Sequence, residues 1–239
     1  MLGPLDYLIW LLGPTVQAYV VVRTILSRDF LRYFPLIFYM FSAALLDVGR
    51  LIVYRTYGLQ SESFLYFYYY SDTLLTVFLY FAILALYQRV FEEMQVSRHI
   101  RWAGALLLAL TAIVSYATVH QNAANMVNRF VVELSRNLYF VGVVLTYVLW
   151  GAVLQLRETR ARIVQLVLSL GIFFSASAAL YAARNLFPQY APWIAALAPM
   201  AGFILPLAWA YVFTMISEEA RLETAKIAPH RSQVATAHR

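Results

Sequence analysis

Apolar runs and polar breaks alternate along the chain with a long period, giving seven apolar stretches at about residues 5–26, 35–54, 63–87, 102–119, 126–156, 161–186 and 193–216. At about 1.5 Å of rise per residue, a helix of roughly 20 residues crosses a hydrocarbon core of roughly 30 Å. The breaks are short and polar: Ser27-Arg28-Asp29, Arg55 to Gly58, Arg89 to His99, His120 to Asn125, and a turn bracketed by Pro188 and Pro192. The pattern predicts an all-α polytopic membrane protein, a seven-transmembrane helix bundle over 1–216, with a short polar tail over 217–239. Gly13-Pro14 in the first helix, and Pro199 and Pro206 in the seventh, are expected to bend their helices, because proline removes a backbone hydrogen bond. Glu218-Glu219 and Arg221 read as a solvated continuation of the seventh helix by two turns, ended at Pro229.

Charge sets the expected orientation. Arg50, Arg55, Arg129, Arg136 and Arg184 fall on one side or in that half of the spans, and the other 13 of the 18 basic residues fall on the opposite side. The positive-inside bias then puts the amino terminus outside and the tail in the cytoplasm, which requires an odd number of spans. The first span is too long, and lacks the flanks, for a cleaved signal peptide.

Composition sharpens the class. The chain is 62% hydrophobic and 13% charged, against roughly half and a quarter in soluble domains. Its net charge of +6 follows from membrane topology, and no nucleic-acid partner is expected. Arginine replaces lysine almost throughout and cysteine is absent, a bias that suggests a bacterial inner membrane. No disulfide, thiolate metal site or cysteine nucleophile can form. The single lysine, Lys226, lies in the tail, which excludes a buried Schiff base. His99, His120, His230 and His238 lie in loops or tail at no ligand spacing, so no metal, haem or other cofactor is expected. Neither a nucleophile beside a base nor a phosphate-binding glycine loop is present, and the chain reads as non-enzymatic.

The informative residues are charges inside spans. An unpaired charge at such depth costs several kcal/mol, so each must find a partner. Asp47 and Arg50 are three apart on the second span and read as a structural ion pair, with Tyr54 one turn on. Tyr68 and Tyr69 share a face with Asp72 on the third span, and Thr76 continues it; Tyr66 and Tyr70 point away and read as an interfacial belt. Arg129, Glu133, Arg136 and Tyr139 form one stripe on the fifth span; Ser177, Tyr181 and Arg184 form another on the sixth. Asp47, Arg50, Asp72, Glu133, Arg136 and Arg184 all fall in the outer half of the bilayer, three acids and three bases. They predict a charged, tyrosine-rich cluster that closes between helices, either as ion pairs that only fix helix register or as a ligand site made by Tyr54, Tyr68, Tyr69, Asp72, Glu133, Arg136, Tyr181 and Arg184. The inner half is expected to be mostly dry, and Ala43, Ala44, Ser175, Ser177, Ala178 and Ala179 read as small packing residues between helices.

Two echoes suggest an internal repeat: Phe41-Ser42-Ala43-Ala44 before Arg50 against Phe174-Ser175-Ala176-Ser177 before Arg184, and Glu92-Glu93 against Glu218-Glu219. Spans one to three and five to seven would then be parallel repeats joined by the fourth. The expected function is a sensor-like, receptor-like or accessory subunit; the alternatives are a small-solute carrier of 3+1+3 type, which the few polar positions of the inner half (Thr146, Gln155, Gln165) disfavour, and a structural subunit of a larger membrane complex. The lipid bilayer, a small-molecule ligand and a protein partner for any output are the expected partners.

Overall fold

The computed structural model describes residues 4–58, 61–92, 97–119 and 126–221. Among these residues the fold is all-helical, with seven α-helices: α1 (Pro4–Leu26), α2 (Phe34–Tyr57), α3 (Glu62–Val90), α4 (Ser97–Val119), α5 (Met126–Gln155), α6 (Ala161–Leu186) and α7 (Ala191–Met215). Five of them, α2 to α6, are long and apolar enough to cross a membrane; Leu11–Leu26 and Met200–Met215 are shorter apolar segments of α1 and α7. Large side chains on the outside, such as Leu26, Leu45, Ile113, Val144 and Leu207, are more than half exposed, as a lipid-facing surface requires. The protein is a membrane-embedded helical bundle.

Local chemistry sets the helix ends. Pro35 sits in the first turn of α2, where its missing N–H costs nothing, and the helix runs three residues past the expected Tyr54 until Gly58, at φ 82°, turns the chain. Ser61 caps α3 by accepting the Phe64 N–H at 3.1 Å. Helices α1 and α7 continue through Pro14 and Pro206. The seventh helix stops at Met215: Ile216 is extended, so the expected two-turn prolongation does not occur, and residues 217–221 fold back onto the bundle. The rest of the expected tail, with Lys226 and Pro229, lies outside the described residues.

The helices close a ring in the order α1, α2, α3, α5, α6, α7 and back to α1. Helix α4 stands outside it, against α5 and part of α3. It is attached by polar contacts at two heights: the Tyr80 hydroxyl donates to the Gly104 carbonyl at 2.7 Å, and the Asn137 amide donates to Ser115 Oγ at 2.9 Å. Helices α5 and α6 cross where Gly142 faces the Phe174 ring and Gly171 faces Thr146, the close approach that small residues permit.

The two triplets, α1–α3 and α5–α7, occupy opposite arcs of the ring, and their first helices end alike. At the end of α1, Arg28 takes φ 60°, its N–H bonds the Ile25 carbonyl, and the Asp29 N–H bonds Thr24. At the end of α5, Arg157 takes φ 50°, its N–H bonds Leu154, and the Glu158 N–H bonds Val153. These are matching Schellman caps with arginine where glycine is usual, each followed by an acid. The likeness extends to ion pairs. Arg32, before α2, meets Glu218, after α7, at 3.0 Å; Arg160, before α6, meets Glu92, after α3, at 3.6 Å. Glu93, the other half of that acidic echo, lies outside the described residues.

Candidate functional site

The polar side chains gather at the two ends of the bundle, and the ends differ in how completely they are satisfied. One end holds the α1–α2 loop, the carboxyl end of α3, the turn before α6 and residues 216–221. There Arg162, only 5% exposed, donates to Asp29 at 2.7 Å and Glu218 at 3.1 Å, and twice to the Ile216 carbonyl, at 3.0 and 2.7 Å. Its guanidinium also lies 5.6 Å from the Phe213 ring centre and 5.9 Å from that of Tyr33. The Tyr33 hydroxyl donates to Glu218 at 2.8 Å, and burial, followed by the Glu218 charge, pushes its pKa up. Arg89 donates to the Arg32 carbonyl and Arg160 to the Arg89 carbonyl, tying α3 to both loops. Burial alone would raise the Glu158 pKa, but the hydrogen bonds and charge of Arg160 outweigh it and hold the carboxyl below its usual range.

This ionic seam overturns the reading of Glu218-Glu219 as a solvated helix end. Glu219 is exposed, but Glu218 turns inward because Arg32, Tyr33 and Arg162 all reach it. The seam is also what the sequence reading missed. Arg162 counted there only as a loop charge, and no spacing rule links it to Asp29, 133 residues away.

The other end is a vestibule among α1, α2, α3, α5 and α6. On α2, Asp47 and Arg50 form the expected pair at 3.2 Å, and Gln17 of α1 donates to the second Asp47 oxygen at 3.1 Å. Arg50 also donates to Ser71 Oγ at 2.8 Å and lies 4.7 Å from the Tyr68 ring centre. Asp72 is held by hydroxyls: Ser135 donates at 2.7 Å, Tyr139 at 3.5 Å, and the Tyr181 hydroxyl faces the same carboxylate. Thr76 lies 3.3 Å from Ser135 and extends the hydroxyl chain. Asp72 is half-buried among the helices, and Tyr68 is 40% exposed. Arg50 Nη2 and Gln17 Oε1 are buried without a hydrogen-bond partner among the described residues. Toward the seam the space is closed by Tyr39 packed on Trp209, whose indole N–H donates to Ser169 at 3.0 Å.

The vestibule brings together Asp47, Arg50, Tyr68, Asp72 and Tyr181 of the sequence-derived residues. The expected cations do not meet Asp72. Arg136 pairs with Glu133 on its own helix, and Arg184 is exposed, one turn beyond Tyr181, with no ion pair among the described residues. The acids and bases that do pair in this half do so within a helix, as three-residue spacing allows, rather than between helices. Tyr69 packs its ring edge-on against Tyr68, and Tyr54 against Phe64. Tyr66 and Tyr70 are exposed, and the Tyr70 hydroxyl donates to Asn128 Oδ1 of α5 at 3.4 Å rather than facing only lipid. Gln17, Ser71 and Ser135 are additions, and Tyr139, read from the sequence only as part of the fifth-span stripe, joins the site. Ser135 could have been found from its place one turn before Tyr139; Gln17 carries no such signal.

Fold and site together define a membrane-embedded helical bundle with a polar vestibule at one end and an ionic seam at the other. Compared with protein-family models, curated proteins and solved structures, the chain matches none.

Proposed function

We propose that this is a seven-span, non-enzymatic membrane protein that binds a small polar solute in the vestibule, and that it works as a carrier rather than as a sensor or accessory subunit. One observation carries the choice: the first helices of the two triplets end in matching caps, matching ion pairs join the triplets, and the vestibule and the seam are both built from residues of both triplets. Two like halves meeting around a polar site, open at one end and latched at the other, are the parts that alternating access needs. The basic loops at the seam end favour placing that end in the cytoplasm and the vestibule outside, and the arginine bias favours a bacterial inner membrane. In this reading the seam and the Tyr39–Trp209 layer are the barrier that opens when the vestibule closes.

The sensor reading needs only one-sided access, which gives the test. The chain has no cysteine, so Tyr68→Cys can be probed with a membrane-impermeant maleimide on spheroplasts and on inverted vesicles. A carrier labels from both sides, with inward labelling enhanced by Arg162→Ala. Labelling from the outside alone in both backgrounds would replace the carrier with the receptor-like reading, and no labelling from either side would remove the vestibule.

A further inference from the structure

The face of α3 turned away from Asp72 is grooved. At roughly 3.6 residues per turn, Phe67, Tyr70, Leu74 and Val77 fall within about 80° of one another, opposite Asp72. They form the floor of an apolar groove of about 450 Å³, with Leu46 of α2 on one side and Val131 of α5 on the other. The lining carries no charge, and its hydroxyls are spent. Ser71 accepts from Arg50 Nε at 2.8 Å and donates to the Tyr68 carbonyl at 2.9 Å; Thr73 donates to the Val131 carbonyl at 2.9 Å; Tyr70 reaches Asn128. Nothing in the wall is left to hold a polar or charged solute.

Depth points to the occupant. From residue 67 to residue 77 the helix rises about 15 Å, half of a hydrocarbon core of roughly 30 Å. Helix α3 has 29 residues, and roughly the central 20 cross the core, so the groove takes up the half on the vestibule side. Its mouth lies at the exposed Tyr66 and the Tyr70–Asn128 pair, a polar edge at headgroup depth. Its lower end falls at Phe81, next on the same face, whose ring meets that of Tyr80 edge-on at 6.1 Å; Tyr80 is held by the Gly104 carbonyl of α4 at 2.7 Å.

A protein partner fits poorly. Eight side chains line the groove, against roughly 20–30 residues on each side of a stable protein interface. Spread over about 15 Å, 450 Å³ gives a section of about 30 Å², whereas a helix about 10 Å across needs about 80 Å². Tyr70 and Leu74 are exposed on the outside of a membrane-embedded bundle, where the medium is hydrocarbon.

We infer that the groove seats one acyl chain of a phospholipid from the leaflet on the vestibule side, with the headgroup at Tyr66 and Tyr70. The chain then lies behind Ser71, the residue that the groove wall shares with Arg50 of the vestibule.

Protein purified in mild detergent is titrated with dioleoyl phosphatidylethanolamine, and separately with oleate as a chain without that headgroup, and bound lipid is counted by native mass spectrometry. One phospholipid per chain should bind ahead of all others. Leu74→Trp fills the groove from its floor and should weaken that first binding about tenfold or more. Leu46→Trp fills it from the α2 side and keeps the test if Leu74→Trp fails to fold. Leu207→Trp, on the lipid-facing side of α7, should leave the first binding unchanged. Lipids that add with no distinct first one, a first binding untouched by both groove variants, oleate bound as tightly as the phospholipid, or a dimer in place of a lipid-bound single chain would each overturn the inference.

Discussion

Replacing Arg162 by alanine tests whether the ionic seam holds the bundle together. The substitution removes four hydrogen bonds to three acceptor groups and leaves Asp29 and Glu218 without their buried partner. Breaking a buried ion pair costs about 3–5 kcal/mol. The lower figure applies here, because the two carboxylate side chains keep 20% and 21% of their exposure and Glu218 retains Arg32 and Tyr33. For a chain of this length about 3 kcal/mol lowers the melting temperature by roughly 6–12 °C. Arg162→Lys keeps a charge but cannot reach both carboxylates and the Ile216 carbonyl, and should fall between the two. Adding Glu218→Gln to Arg162→Ala should cost less than the sum of the single changes, since they share one network. Arg32→Ala, by contrast, removes a 41% exposed partner and should cost less than about 1 kcal/mol, mostly lost in high salt. Melting is followed by intrinsic fluorescence in detergent. An Arg162→Ala protein within 2 °C of the parent, where about 6 °C or more is expected, would refute the seam as a structural clamp.

Two further outcomes follow from packing and titration. At Gly142 an added methyl would overlap the Phe174 ring, itself 1% exposed, so Gly142→Ala should destabilise by about 1–3 kcal/mol despite alanine's better helix propensity; a stabilised variant would show that the ring yields freely. The Glu158 carboxyl is held below its usual range, so its contribution is present above the ordinary glutamate pKa of about 4.3 and is lost as pH falls through the lowered folded value. Glu158→Gln should accordingly flatten the acid limb of a melting-temperature profile, and an unchanged limb would exclude the Arg160 contact as its source.

The helices were legible because apolar length and polar breaks carry over directly into span and turn, and the Asp47–Arg50 pair because three-residue spacing fixes a helical neighbour. Helix rotation was not legible. Whether Asp72 meets Arg184 or Ser135 depends on how α3, α5 and α6 turn about their axes, which Gly142 against Phe174 and Gly171 against Thr146 help to set. The seam was hidden for a different reason. Arg162 and Glu218 look like ordinary end-of-span charges until the chain leaves α7 at Ile216 and bends back. Of the acidic echo, Glu92 and Glu218 each meet an arginine that precedes a helix of the other triplet, whereas Arg28-Asp29 and Arg157-Glu158 gained meaning only from their shared φ angles.

The place of α4 outside the ring has a consequence of parity. Three helices carry a chain from one face of a bundle to the other, so a second triplet joined directly to the first would begin on the wrong face and run upside down. One extra crossing restores the starting face. By standing aside as a return stroke, α4 lets Arg160 and Arg162 arrive on the same face as Arg32 and Asp29, and a chain deprived of it could not bring its two halves into register.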